Sequence, residues 1–199
     1  MSHFLTTGRL LVFAGFLVLL DQVSKIAVKG FSLFGVVHEG MHLGQSFPVL
    51  GDALRITFVE NPGMAFGVEF GAGKVFLTLF SLIASIGLIF YLIKIHSASW
   101  ILRCAVMLIL AGAFGNFIDR MFYGVFYGES PLFYGLVVDF IQVDIPDITI
   151  GNYTYTHWPV FNVADSCVSI GMVLIVLFNK QLPFPFSTNV ENVEPNHDN

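Results

Sequence analysis

The chain has 199 residues, of which 55% are hydrophobic and 12% are charged, and its formal net charge is −5. That charged fraction is half of the roughly 25% typical of soluble domains, and the mean hydropathy is +0.77. The composition excludes a disordered chain, a disulfide scaffold and a basic nucleic-acid-binding surface, and it predicts a single integral membrane domain over residues 1–182, surrounded by membrane lipids.

Apolar runs predict four transmembrane helices, at about residues 10–28, 75–93, 100–118 and 162–179. The clearest run is Val75 to Ile93, whose 19 uncharged residues nearly match the ~30 Å hydrocarbon thickness of a bilayer. The first run follows Arg9 and continues into Asp21 without a small-residue cleavage site, so it predicts a retained helix and not a removed signal peptide.

Four crossings place both termini on the same side of the membrane. Lys and Arg are denser in segments 1–9, 94–103 and 180–199, with four in 39 residues, than in connections 29–74 and 119–159, with four in 87. Because positive residues favour the cytoplasmic side, we expect both termini to be cytoplasmic and the two long connections to lie outside. Residues 183–199 have little apolar content and predict a disordered cytoplasmic tail.

The two long connections carry patterns of their own. Leu54, Ile56 and Phe58 alternate along one face, which predicts a small outer strand platform at about 44–70. The second connection forms an outer aromatic segment, about 121–159, in which Phe-Tyr-Gly occurs at 122–124, 126–128 and 133–135. Aromatic rings with polar tips favour the headgroup layer, so this pattern favours interfacial anchoring over a mobile flap that gates substrate.

Polar residues at membrane depth are functional candidates, because an ionisable side chain there costs on the order of 2.5–3.5 kcal/mol. Asp21 and Lys25 are spaced i, i+4 and can pair on one helix face, which explains them as well as a functional role does. Asn116 and Arg120 share a face at the outer end of the third helix. That helix also carries two small residues suited to close packing, Gly112 and Gly115.

Two carboxylates lie near the outer membrane boundary. Asn162 is a natural N-cap for the fourth helix and Asp165 occupies position N3, so capping alone can account for Asp165. Asp139, in the apolar stretch Val137–Phe140, has no comparable structural explanation. If the intervening residues fold back, the two carboxylates meet.

Paired carboxylates in a poorly solvated site do not both ionise easily, so one keeps a proton as a general acid while the other activates water. The dipole of the fourth helix favours the ionised form of Asp165. We therefore expect Asp165 to act as the base and the shared proton to lie nearer Asp139.

Five ordered motifs between residues 21 and 165 resemble the signature blocks of lipoprotein signal peptidase, the signal peptidase II family. They are Asp21-Gln22-x-x-Lys25, Asn61-Pro62-Gly63-x-Ala65-Phe66, Gly112-Ala113-x-Gly115-Asn116-x-x-Asp119-Arg120, Val138-Asp139-Phe140 and Phe161-Asn162-x-Ala164-Asp165. The resemblance implies an intramembrane aspartic endopeptidase of the bacterial cytoplasmic (inner) membrane, with its active site near the outer face. It would remove the signal peptide of a diacylglyceryl-modified prolipoprotein just before the lipidated cysteine.

The resemblance also implies roles for individual residues. Asp139 and Asp165 match the catalytic dyad, and the polar residues that match its surroundings are Asn61, Asn116, Arg120 and Asn162. Asp21 and Lys25 match a supportive pair, and Asp119 is expected to be structural. The implied fold is an all-α membrane protein with four transmembrane helices, a small extracytoplasmic β cradle and a short extracytoplasmic helix. We expect the protein to work as a monomer and to use no cofactor or metal. The gaps on either side of Asp139 are several residues longer than in the family pattern, which affects the outer lid more than the chemistry.

Other functions fit less well. His38-Glu39-Gly40-Met41-His42 matches the zinc-protease pattern, but Gly40 weakens the required helix and Pro48 stands where a third ligand would be. Serine chemistry lacks a G-x-S-x-G element. An ion- or proton-coupled transporter would explain buried carboxylates, although no inverted repeat is visible. A structural adaptor would leave the polar clusters unexplained.

Overall fold

In the computed structural model, which describes residues 6–63, 71–151 and 153–178, the main helices follow the predicted runs. They are α1 (Thr7–Lys29), α2 (Gly71–Lys94), α3 (Trp100–Ile118) and, after the strands described below, α5 (Val163–Phe178). Among these residues three spans are long and apolar enough to cross a membrane, namely Thr7–Lys29, Gly73–Lys94 and Trp100–Phe126, while Val163–Phe178 is apolar but shorter. The predicted tail, 183–199, lies outside the described residues.

Capping residues set the ends of these helices. The Thr6 side chain accepts a hydrogen bond from the backbone N–H of Arg9, and Ser99 accepts one from Leu102. Helix α1 ends at Gly30, whose φ of 88° lies in the left-handed region that glycine adopts without strain. Helix α3 continues through a π-helical turn, Asp119–Tyr123, into the single turn α4, Gly124–Phe126.

The structure contains more strands than the predicted strand platform at about 44–70. A hairpin of β1 (Phe31–Leu33) and β2 (Val36–His38) follows α1 directly. A four-stranded antiparallel sheet then has the order β3–β4–β5–β6, with β3 at Ser46–Leu50, β4 at Leu54–Asn61, β5 at Val137–Ile150 and β6 at Tyr153–His157. The alternating segment was therefore predicted correctly as a strand, whereas β5 and β6 lie in the region read only as an aromatic segment.

The excursion between the two candidate carboxylates is a hairpin that returns to its starting point. Strand β5 continues past the end of β4 beyond Val143, which pairs with Leu54, and β6 pairs with this extension and brings the chain back. The backbone N–H groups of Phe140 and Ile141 both donate to the carbonyl oxygen of Phe161, at 3.1 and 2.7 Å. These contacts hold residue 161, and hence the start of α5, beside the segment that carries Asp139.

Close helix packing places α3 against α5. A Cβ built on Gly112 would lie 2.2 Å from the carbonyl oxygen of Ala164, and one on Gly171 would lie 2.7 Å from that of Ala105. The small-residue face predicted for α3 therefore allows the two backbones to approach closely. A cluster of buried apolar side chains joins the helices to the sheet. Its members are Val28, Phe58, Tyr123, Val138 and Phe140.

The aromatic repeats do not share one environment. Phe122 and Phe126 are about half exposed, which fits the predicted interfacial position. Tyr123, by contrast, is buried and donates a hydrogen bond from its hydroxyl to Gln22, while the Tyr127 hydroxyl donates to the carbonyl oxygen of Gly30 at 2.8 Å. The two tyrosines thus link the segment that follows α3 to α1 and to its C-cap residue, Gly30.

Candidate active site

Asp139 lies on β5 opposite Val59 of β4 and is 1% exposed. Its Oδ2 accepts a hydrogen bond from the amide of Asn61 at 3.0 Å, and its Oδ1 accepts one from the amide of Asn162 at 2.7 Å. Burial, and then the nearby charge of Asp165, raise the pKa of Asp139 from 3.8 to about 7. This carboxyl therefore holds a proton at pH values where an ordinary aspartate has lost it.

Asp165 lies at the start of α5 and both of its oxygens have partners. Its backbone N–H donates to Oδ1 of Asn162 at 2.8 Å, and its Oδ2 accepts from the backbone N–H of Asn162 at 3.4 Å. This is the predicted capping box. The other oxygen, Oδ1, accepts from the amide of Asn116 at 2.7 Å. The capping role is therefore present, and it leaves one oxygen directed at the polar cluster.

Two asparagine amides connect the two carboxylates. The Nδ2 group of Asn162 donates to Oδ1 of Asp139 and also lies 3.1 Å from Oδ1 of Asn116. Asn116 in turn donates to Asp165, so an unbroken path of hydrogen bonds joins the two acids. The amides fix the positions of both carboxylates while carrying no charge that would bias which one is protonated.

Beneath this cluster, Lys25 lies between two acids and is fully buried. Its Nζ lies 2.8 Å from Asp21 Oδ2 and 2.7 Å from Asp119 Oδ2, and it donates to Oδ1 of Asn116 at 3.0 Å. The predicted Asp21–Lys25 pair is thus one half of a triad. Because Nζ and Asn162 both donate to Oδ1 of Asn116, the Asn116 amide is turned with its NH₂ group toward Asp165.

The acids of the triad also bind backbone groups at the edge of the site. Oδ1 of Asp21 accepts from the N–H of Ala164 at 2.8 Å, and Oδ2 of Asp119 accepts from the N–H of Val138 at 3.3 Å. Each acid therefore holds the residue next to a candidate catalytic carboxylate.

Arg120 lies in the π-helical turn after α3, and its side chain contacts both α2 and α3. Its Nη1 makes long contacts with Ser81 Oγ at 3.4 Å and with the carbonyl oxygen of Asn116 at 3.5 Å. Within the described part of the chain its buried Nε has no hydrogen-bond partner. Asp139 and Asp165 are both close enough to act electrostatically on the guanidinium. In this part of the chain Arg120 therefore keeps one unused N–H donor in the neighbourhood of the two carboxylates.

The structure brings together all eight predicted site residues, which are Asp21, Lys25, Asn61, Asn116, Arg120, Asp139, Asn162 and Asp165. Part of the predicted Asn61 motif, residues 64–67, lies outside the described residues. The histidines of the zinc-protease pattern are not on a helix, because His38 ends β2 and Gly40 has a φ of 65°. The described ranges contain no cluster of three His, Cys, Asp or Glu side chains that could hold a metal ion.

Sequence reasoning missed the contribution of Gln22. Its amide donates to Asp119 Oδ1 at 2.9 Å and to the carbonyl oxygen of Gly115 at 3.2 Å, while its own carbonyl accepts from Tyr123. A polar residue beside Asp21 at membrane depth was a usable signal. Its partners, however, lie more than 90 residues away along the chain.

Comparisons with known proteins agree with one another. The family model described as Signal peptidase (SPase) II matches residues 13–179. A lipoprotein signal peptidase of Syntrophus aciditrophicus is 37% identical, with 84% of this chain and 89% of the relative covered. One from Staphylococcus aureus is 34% identical, with 85% and 86% covered.

Two solved structures are similar in fold to this chain. One described as a bacterial membrane enzyme, obtained by the in meso method at 1.9 Å resolution, has a TM-score of 0.63 and 32% identity over 85% of this chain and 91% of that one. A second, at 2.3 Å resolution, has a TM-score of 0.61 and 30% identity over 96% and 95%.

Proposed function

Because the chain belongs to the signal peptidase II family of membrane proteases, we propose that Asp139 and Asp165 form its catalytic dyad. The observation that carries the proposal is the amide-bridged pair of carboxylates, one of them buried with its pKa raised to about 7. Family membership leaves the transporter hypothesis without support.

The reaction needs one acid and one base in contact with the scissile peptide. Asp165, at the N-terminus of α5, takes a proton from water as the water oxygen attacks the peptide carbonyl carbon. Asp139 gives its proton to the carbonyl oxygen, which forms a neutral tetrahedral diol. Collapse of the diol breaks the C–N bond, returns a proton to Asp139 and transfers the proton held by Asp165 to the leaving amine. The two carboxyl groups end with the same total number of protons.

The surrounding residues hold this geometry. Asn61 and Asn162 each donate to one oxygen of Asp139, which leaves its proton directed away from both amides. Lys25 keeps the Asn116 amide turned toward Asp165 by occupying its carbonyl oxygen. Within the described ranges the Nε–H of Arg120 has no hydrogen-bond partner, and this donor suits a carbonyl oxygen of the bound peptide.

The substrate we propose is a prolipoprotein with a diacylglyceryl cysteine, cut just before that cysteine. The relatives are named lipoprotein signal peptidases, which supports this substrate class. The C-terminal ends of α1 and α3 and the start of α5 contribute site residues, so the site lies at one end of the helices. With α5 as a fourth crossing and both termini cytoplasmic, that end is the outer face of the inner membrane, and a monomer suffices because one chain supplies the whole site.

A cleavage assay in detergent with a synthetic lipidated precursor tests the proposal. Asp139→Asn and Asp165→Asn should each lower kcat by about 10³-fold or more, as removal of a catalytic group does in other proteases. The matched control is Asp144→Asn, an exposed acid on the same strand as Asp139, which should cleave like the parent protein. The parent rate should fall above about pH 7, where Asp139 loses the proton it donates. Substantial cleavage by either dyad variant would refute the assignment.

A further inference from the structure

The β1–β2 hairpin, residues 31–38, has no role in the site and has an unusual surface. From Phe31 to Val37 it contains no charged residue. Four large apolar side chains on it, Leu33, Phe34, Val36 and Val37, are 46–97% exposed, with Phe34 at the upper limit. A two-stranded hairpin of this length has no core of its own, so these side chains are not explained by packing within the protein.

The backbone at the tip of the hairpin is strained at an aromatic residue, Phe34. Phe34 has a φ of 49° and Gly35 a φ of 81°, so both central residues of the turn lie in the left-handed region. Such turns ordinarily take Asn-Gly or Asp-Gly, because a bulky residue at positive φ is disfavoured. The sequence places a phenyl ring where a polar residue would relieve the strain, which indicates that the ring itself is used.

The base of the hairpin is held firmly against the end of α1. Gly30 and Gly40 pack so closely that a Cβ on Gly40 would lie 2.4 Å from the Gly30 nitrogen. A ring nitrogen of His38 lies 2.8 Å from the carbonyl oxygen of Ala27, and Met41 donates its N–H to Val28. The tip is therefore displayed in a fixed relation to a membrane-spanning helix.

We propose that this hairpin inserts its tip, Leu33 to Val37, into the lipid leaflet at the C-terminal end of α1. The hairpin begins two residues after α1 ends, and that helix itself carries exposed apolar side chains, including Phe16, Leu19 and Val23. Acyl chains match a tip without charge. The second outer hairpin, formed by β5 and β6, carries Asp144 and Asp147 on exposed positions and suits water instead.

Tryptophan placed at the tip tests this position directly. Two variants carry tryptophan at the tip, Phe34→Trp and Val36→Trp. They are compared with Asp52→Trp, because the Asp52 side chain lies in the turn between β3 and β4 and is 95% exposed. Each full-length protein is placed in nanodiscs of phosphatidylcholine and phosphatidylglycerol, with ordinary or brominated acyl chains. Emission from Trp100 and Trp158 is removed by subtracting the parent spectrum. Cleavage of the lipidated precursor at the parent rate shows that each variant is folded.

Burial of one aromatic ring in the acyl region corresponds to a roughly tenfold to hundredfold preference for the inserted state. Brominated lipids should therefore remove most of the emission added at positions 34 and 36, whereas aqueous iodide should quench only the Asp52→Trp signal. Iodide quenching of both tip variants without an effect of bromine would overturn the proposal. So would protection of both from either quencher, which would indicate a protein contact at the tip.

Discussion

Replacement of Asp139 by asparagine should flatten the dependence of stability on pH between about pH 4 and pH 7. In the folded protein the pKa of this carboxyl is about 7 instead of 3.8, mainly because it is buried and then because Asp165 is near. Over that interval the folded state holds a proton that the unfolded state has released. The free energy of unfolding therefore falls as the pH rises, and this contribution is fully lost once the pH exceeds about 7.

The size of the effect follows from the two pKa values. A rise from 3.8 to about 7, at about 1.4 kcal/mol per pKa unit, corresponds to roughly 4 kcal/mol of free energy of unfolding. For a chain of this size, that loss lowers the melting temperature by about 8–16 °C. The asparagine variant lacks this slope. The difference in melting temperature between variant and parent at any single pH is less informative. The new NH₂ group must face either Asn61 or Asn162, and because both of these amides donate at this position, two donors then meet.

The measurement is the melting temperature in detergent, followed by tryptophan fluorescence from pH 4 to pH 8. The quantity of interest is the difference between variant and parent at each pH. For Asp139→Asn this difference should grow in the variant's favour as the pH rises, whereas for the exposed Asp144→Asn it should stay constant. Asp165→Asn should shift the transition to lower pH, since it removes the second cause of the raised pKa. Parallel curves for Asp139→Asn and the parent protein would refute the reasoning.

Three further substitutions test the supporting structure. Lys25→Met should cost about 3–5 kcal/mol of stability by leaving two buried acids unpaired, and adding Asp119→Asn should recover part of the loss; no recovery in thermal unfolding would contradict the triad. Lys29→Gln removes ion pairs with Glu60 and with the half-exposed Glu129 and should cost only about 1 kcal/mol of stability in the same assay. A loss of stability as large as that of Lys25→Met would contradict the expectation that the buried triad contributes more. Gly112→Ala should lower both melting temperature and cleavage by forcing α3 away from α5, whereas Gly87→Ala, with nothing within 4 Å, should be neutral or stabilising; equal effects would contradict the close approach.

The helices were predictable because charge is so scarce. A run such as Val75–Ile93 has few alternatives to a membrane helix, and α3 begins and ends where its apolar run does. Strand β4 was predictable because its alternation is local. The capping box at Asn162 and Asp165 could also be read from spacing alone, and it forms as expected.

The rest depended on contacts between residues far apart in sequence. Strand β5 alternates apolar and polar residues from Ile141 to Ile145, but Pro146 interrupts the pattern, and pairing with β6 continues the strand past it to Ile150. The spacing of Asp21 and Lys25 indicated one ion pair, but the second partner, Asp119, comes from another helix. Which amide oxygens and nitrogens face each carboxylate is likewise set by packing and cannot be read from residue order.

The hairpin that carries the chain from Asp139 to Asp165 is a natural site for variation in length. The part of it that extends past β4, residues 144–157, begins where β4 pairing stops at Val143. It is followed at Phe161 by hydrogen bonds to residues 140 and 141. Residues can be added or removed in the β5–β6 turn, between the β4 pairing and the Phe161 hydrogen bonds, without shifting the register of β5 against β4. Asp139 therefore stays directed at the site. Related proteases can therefore differ in the length of this hairpin while the position of Asp139 stays unchanged.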